Sequence, residues 1–472
     1  MRYYARIGFA IYLVVLFFVV IWLQPKQLGL NLDIGPSSKI DVGLKTWSKL
    51  QHGPRRKFIN MRNEDDNLIK IENIRKEIKM KNGRFSDSKR EPFISHLLSG
   101  QVNVCNDNFI GYKNKFAKLA NVVIDPKFGE GRQGGENISD VLNQSEESEY
   151  YKLKPGFFQT PCRNSIVYDF GGRSYLNDWI KAIRPYENEM TKSYKEVTEW
   201  TIALQRHEYV NMYHTMTDWF NTYLVTKVFH LDPKNVTILW IDGHPDGGLD
   251  SVWRTIFGKV VRIGEIREPV KFSNMIWGIV GYDSLIEDHF SQEVPYLEDF
   301  RTLFLSSFGV TIDDQLDCDK LNVLLIWRRD YVAHPRNPSG SVARKIKNED
   351  ELFETMTEVF EGHNVKAMQI DLLPMSEQLS ITSKTDILIG MHGAGLSHSL
   401  FLPRHAGLIE MFPIYHPNQN MHFKAMATWR HLYYSEWSNY DPSNELENYY
   451  TIVDVESVTL LAQEMRTKMC HS

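Results

Sequence analysis

The chain has 472 residues, room for two ordinary domains and a tail, with a formal net charge of −5 and acidic and basic residues interspersed. No sustained Lys/Arg stripe is present to neutralise a phosphate backbone, which excludes nucleic acid as a partner. Cys105, Cys162, Cys318 and Cys470 are widely spaced without a CxxC or Cys/His grouping, which excludes a thiolate zinc site and leaves room for two disulfides whose pairing stays open.

From the N-terminus, residues 1–6 carry Arg2 and Arg6, and residues 7–23 are an unbroken apolar run without charge or proline. A run of that length predicts a single membrane anchor, and the preceding arginines favour a cytosolic tail with the rest of the chain in the lumen. Gln24, Pro25, Lys26 and Gln27 follow where a cleaved signal would need small residues. The shortness of the run suits a membrane of the early secretory pathway. Residues 24–92 are polar and poor in aromatics, the composition of a stem, within which Leu68, Ile71, Ile74 and Ile78 recur at helical spacing. The sequons at Asn137, Asn143 and Asn235 agree with a lumenal location.

Beyond the stem, an N-terminal region (residues 93–315) precedes a C-terminal one (residues 316–472). Residues 125–149 are rich in Gly, Gln, Ser and Glu and predict a surface loop. After Cys162, apolar runs at 165–168, 236–241, 322–327, 365–370, 387–389 and 407–410 predict strands alternating with helices, among them 348–360 and 375–383 and one starting near Leu396. Such alternation predicts parallel α/β architecture, and two Rossmann-like domains facing across a cleft would be a GT-B arrangement.

Three stretches can carry chemistry. At 387–397 a strand enters a turn of His392, Gly393, Ala394 and Gly395, and a helix is expected to follow. Small residues there let backbone N–H groups approach a diphosphate, helped by the helix dipole, and His392 can donate to the same phosphate. After the next strand, Glu410 stands where a carboxylate can hold ribose hydroxyls. The second stretch, 327–336, sets Arg328, Arg329 and Arg336 after a strand, with Arg344 and Lys345 farther on. Guanidiniums at a strand's carboxyl end clamp phosphates and stabilise a departing nucleotide, with no metal needed. The third, 206–220, places His214 and Asp218 four residues apart on one helical face. Asp218 is expected as the base that takes the acceptor's proton with His214 orienting it, though the roles can be exchanged. Glu208, Asn211 and Trp219 in the same stretch are candidate acceptor contacts. The DxD-like Asp317-Cys318-Asp319 precedes a strand instead of following one, and His244 to Asp246 is weaker still, so no metal site is assigned.

These strings resemble glycosyltransferase family 61, in which an HGAGL turn followed by a strand ending in Glu recurs, over roughly residues 160–440. The stretches 328–336 and 208–219 look most like the family's branch that adds β-1,2-xylose to N-glycans. The resemblance implies UDP-xylose as donor, the core β-mannose of an N-glycan as acceptor, inversion at the anomeric carbon, and residence in the Golgi; the N-terminal run makes the enzyme type II, and the arginine clamp leaves no required cofactor and any divalent cation non-essential. Ser397, where the family more often has Thr, and an apparent insert at Pro338 and Ser339 depart from its pattern. Residues 396–403 also resemble the family's EGF-repeat O-GlcNAc transferases, and a non-catalytic glycan-binding relative is the remaining alternative.

Overall fold

The computed structural model describes residues 87–172, 174–186, 194–312, 314–416 and 420–471. The expected anchor and the stem helix at 68–78 lie outside them. Among the described residues no helix is long and apolar enough to cross a membrane.

Two sheets carry the molecule. The first, of ten strands, opens with an antiparallel meander of β1 (Gln101–Cys105), β2 (Phe109–Tyr112) and β3 (Phe116–Ile124). It continues into β4 (Thr201–Leu204), β5 (Thr237–Trp240), β6 (Lys259–Arg262) and β7 (Val270–Trp277), in the spatial order β1-β2-β3-β7-β4-β5-β6. β7 is antiparallel to β3, whereas β7, β4, β5 and β6 run parallel. β4 and β5 are buried at every position, as central parallel strands covered on both faces must be. Helix α1 (Met212–Val228) is buried over almost its whole circumference, so its sequence shows little amphipathic contrast.

The second sheet is wholly parallel. Its strands are β8 (Asn322–Ile326), β9 (Asn364–Met368), β10 (Ile387–Met391), β11 (Gly407–Phe412) and β12 (Tyr433–Ser438), ordered β9-β8-β10-β11-β12. Helices α3 (Glu349–Val359) and α6 (Val455–Cys470) cover one face through Leu352, Met356, Val458, Ala462 and Met465. On the other face α4 (Met375–Thr382) and α5 (His422–Trp429) contribute Leu379 and Met426 to a core shared with the first sheet. That core also takes Trp219 and Phe220 of α1 and Phe300 and Phe304 of α2 (Leu297–Ser307). Phe304 meets Phe401 at 4.7 Å, and buried Arg301 donates to the Leu402 carbonyl at 3.0 Å. The disulfides pair Cys105 with Cys162 and Cys318 with Cys470.

Local expectations needed three corrections. Residues 165–168 form no strand; the Tyr168 ring lies against Gly111, and its hydroxyl accepts from the Asn114 N–H at 3.1 Å. The helix after the His392–Gly395 turn is a 3-10 helix, Ala394–Phe401, every residue from Leu396 on being buried. Packing on all sides there outweighs the poorer hydrogen-bond geometry of so long a 3-10 run. The loop 125–149 is not all surface, because Glu149 is buried and its carboxylate meets His244 at 2.7 Å.

Candidate active site

In the second sheet the strand ends build a cationic pocket. β10 delivers His392, whose N–H bonds the Met411 carbonyl of β11 at 2.8 Å. Its Nδ1 lies 2.5 Å from Glu410 Oε1, and the Tyr434 hydroxyl donates to the other Glu410 oxygen at 2.8 Å. Burial raises Glu410 to about 8, and burial with the neighbouring Arg344 and Arg328 brings His392 down to about 3. Between those limits the pair holds two protons, one shared by Nδ1 and the carboxyl and one on Nε2, so the free edge of His392 is a donor.

Two arginines flank this ring. Arg328, just past β8, donates from Nε to the Ala343 carbonyl at 2.9 Å. Its guanidinium lies so close to Gly393 that a Cβ there would collide with it, which explains the glycine. Arg344, in the left-handed region at φ 63°, donates from Nε to the His392 carbonyl at 2.6 Å. Among the described residues neither makes an ion pair, and burial together with Arg344 lowers Arg328 to about 10, still charged at neutral pH. The Nε2 of His416 is buried beside them without a hydrogen-bond partner. Paired guanidiniums without a carboxylate, next to an imidazole donor, form an anion site.

In the first sheet β4 is followed by Arg206, His207 and Glu208. Arg206 is fully buried, bonded to Asp242 at 2.7 Å and Asp250 at 2.6 Å, with its guanidinium 3.8 Å from the Trp240 ring. This network fixes the strand ends that present the next two residues. Although burial opposes it, the His334 hydrogen bond at 3.1 Å and the Tyr209 and Val210 N–H groups hold Glu208 down at about 2. His334 and Arg336, which also pairs with Glu146, thus bring the basic loop of the second sheet onto the end of β4. His207 and His214 meet ring to ring at 4.7 Å, and Tyr282, 67% exposed, lies 4.0 Å from His207. Burial, then the neighbouring His214, lowers His207 to about 4; burial lowers His214 as well.

Residues 195–409, which contain Arg206 to Glu208, Arg328, Arg344 and the His392–Gly395 turn, match the family described as Glycosyltransferase 61. The chain is a glycosyltransferase that is similar to family 61 over that stretch. A beta-1,2-xylosyltransferase from Oryza sativa subsp. japonica is 27% identical over 356 residues, 66% of this chain and 66% of that protein. The beta-1,2-xylosyltransferase of Arabidopsis thaliana is 23% identical over 374 residues, 64% of this chain and 69% of its own. An EGF domain-specific O-linked N-acetylglucosamine transferase of Xenopus laevis is 40% identical over 333 residues, 66% of this chain and 58% of that protein.

The glycosyltransferase gathers His392, Gly393, Ala394, Gly395, Glu410 and Arg328 at one site, but several expected contacts lie elsewhere. Glu410 has no exposed surface and both oxygens are taken inside the protein, so it orients His392 and does not face a ribose. Arg329 turns away to Glu349 at 2.7 Å with its side chain 55% exposed, and Arg336 serves the Glu208 side. Asp218 is only 2% exposed, is held well above its ordinary value by burial, and accepts the His207 N–H at 2.7 Å. No hydrogen bond joins it to His214, so Asp218 does not orient that ring, and of the two only the half-buried His214 is accessible to an acceptor hydroxyl. Trp219 is fully buried in the core and lies away from any acceptor, and the half-buried Asn211 caps α1 by accepting the Tyr213 N–H at 3.1 Å. Asn137, Asn143 and Asn235 are all exposed.

Sequence reasoning passed over His207, Tyr282, His334, His416 and Tyr434, and it left Arg344 behind Arg329 and Arg336. It assigned no metal ligands, whereas the transferase brings Glu287, His289 and His422 together. The density of histidine between 405 and 431 was the one signal available.

Proposed function

We propose that this glycosyltransferase transfers xylose from UDP-xylose in β-1,2 linkage to the core β-mannose of N-glycans, with inversion. The two unpaired guanidiniums of Arg328 and Arg344 at the His392–Gly395 turn carry the reading, because they suit a diphosphate at the carboxyl ends of a parallel sheet. The plant relatives named beta-1,2-xylosyltransferases support the sugar and linkage. The two sheets act as the halves of a GT-B fold, the donor on the second and the acceptor on the first. Residues 7–23 anchor the enzyme in the Golgi membrane as a type II protein, with residues 24–92 as stem and the catalytic region lumenal.

In the reaction His214 accepts the proton of the acceptor hydroxyl while that oxygen bonds to the anomeric carbon and the bond from that carbon to the diphosphate breaks. The electron pair leaves on UDP, whose charge Arg328, Arg344 and the His392 Nε2–H stabilise. Glu208, with Arg336 and His334, is placed to hold acceptor hydroxyls. The arginines supply the charge stabilisation, so the chemistry requires no cofactor.

A second reading, transfer of GlcNAc from UDP-GlcNAc to folded EGF repeats, draws on the Xenopus relative. The full chain in detergent, given each donor with either a trimannosyl N-glycan bearing a GlcNAc-capped antenna or a folded EGF module, separates the two. Gain of one pentose on the core mannose, persisting in excess chelator, is the expected result. GlcNAc on the EGF module instead would establish the second reading, and no transfer from either donor would leave a non-catalytic glycan-binding protein.

A further inference from the structure

Beside the donor turn, three groups from both sheets' connections converge. Glu287 closes the short turn Leu285–Glu287 after β7, His289 follows it, and His422 opens α5. One ligating atom from each lies within 4.8 Å of the others. His289 Nε2 and His422 Nδ1 are 2.8 Å apart, and the Tyr213 hydroxyl is 2.9 Å from the same Nε2. The His422 ring lies 4.0 Å from that of Tyr213 and 6.2 Å from that of His392.

We infer that Glu287, His289 and His422 form a site for a divalent transition-metal ion that clasps the two sheets together beside the donor pocket. Two imidazoles and one carboxylate are a ligand set that zinc and related ions accept, with water in the remaining position. Glu287 Oε1 is buried without a hydrogen-bond partner. A cation would satisfy that oxygen. Metal–nitrogen bonds of about 2.1 Å would need the two nitrogens roughly 3.3 Å apart, a small opening of the present contact. The neighbourhood already joins the halves, since Trp429 of α5 donates to the Ser291 carbonyl at 2.7 Å. The site is independent of which sugar is transferred, and its test does not read activity.

The test uses the full chain in detergent, stripped with chelator, then titrated with Zn²⁺ against a chromophoric chelator and with Co²⁺ by visible absorption. Wild type should bind one Zn²⁺ ion more than His289→Ala/His422→Ala. It should also show a Co²⁺ ligand-field spectrum that the variant lacks, and saturating Zn²⁺ should raise its Tm but not the variant's. Loss of an outer-shell partner alone costs 10–100-fold in metal affinity, so loss of a ligand should weaken Zn²⁺ binding by more than about 100-fold. If the alanines lower Tm in chelator, Glu287→Gln, which keeps shape and loses charge, carries the comparison. Equal Zn²⁺ stoichiometry and affinity in wild type and the fold-retaining variant, or no binding to wild type, would overturn the site.

Discussion

At the proposed donor site, the shared proton of Glu410 and His392 predicts a pH dependence of donor binding with a definite direction. Glu410 titrates at about 8 in the fold against about 4.3 in an unfolded chain, so its contribution to stability is full below the unfolded value and is lost as pH rises through about 8. Above that point the carboxylate takes the Nδ1–H, and Nε2 turns a lone pair toward the donor phosphate. The KM for UDP-sugar should therefore rise as pH passes through about 8, and Glu410→Gln, whose amide can donate to Nδ1, should flatten that rise. A variant with the wild-type pH profile would count against the pairing. His214→Asn should lower kcat by roughly 10²–10⁴-fold, the range of general-base catalysis. Asp218→Asn, altering a carboxylate that holds the His207 N–H, should cost less kcat and more stability. Rates in the opposite order would return the base to Asp218. The His392–Gly395 turn was legible because its residues are contiguous. Tyr434 was not, and Arg344 was named among the basic residues without its contact to the turn, because they reach Glu410 and His392 from 24 and 48 residues away in sequence respectively.

Four of the five strands of the second sheet followed from alternation of apolar runs and fall within a residue or two of the expected ones, whereas β12, α5 and α6 were not expected. The first sheet was less visible because an antiparallel meander and long irregular segments interrupt the βα rhythm. α1 shows how one element serves both packing and site. Asn211 caps its first turn, and the same turn presents His214 to His207 and Tyr213 to His422. Removing the cap with Asn211→Ala should cost about 1 kcal/mol of stability in denaturant titration, while Asn211→Asp should retain most of it. A loss of transfer with unchanged stability would instead mean that Asn211 touches the acceptor.

Across the chain the two disulfides close loops of very different size, with sequence separations of 57 and 152. The larger one fastens α6 over the second sheet, and on the chain-entropy model its removal by Cys318→Ser/Cys470→Ser should cost roughly 3–5 kcal/mol. Loss of Cys105–Cys162 should cost somewhat less. Thermal unfolding of both variants under non-reducing conditions checks the order. Composition, the parallel α/β rhythm and the turn at His392 were readable along the chain because each depends on neighbours in sequence. The two-arginine pocket, the burial of Asp218 and Glu410, and the meeting of Glu287 with His289 and His422 were settled only by tertiary structure. Burial and approach between residues far apart in sequence depend on how sheets and helices pack against one another, and no local pattern encodes that packing.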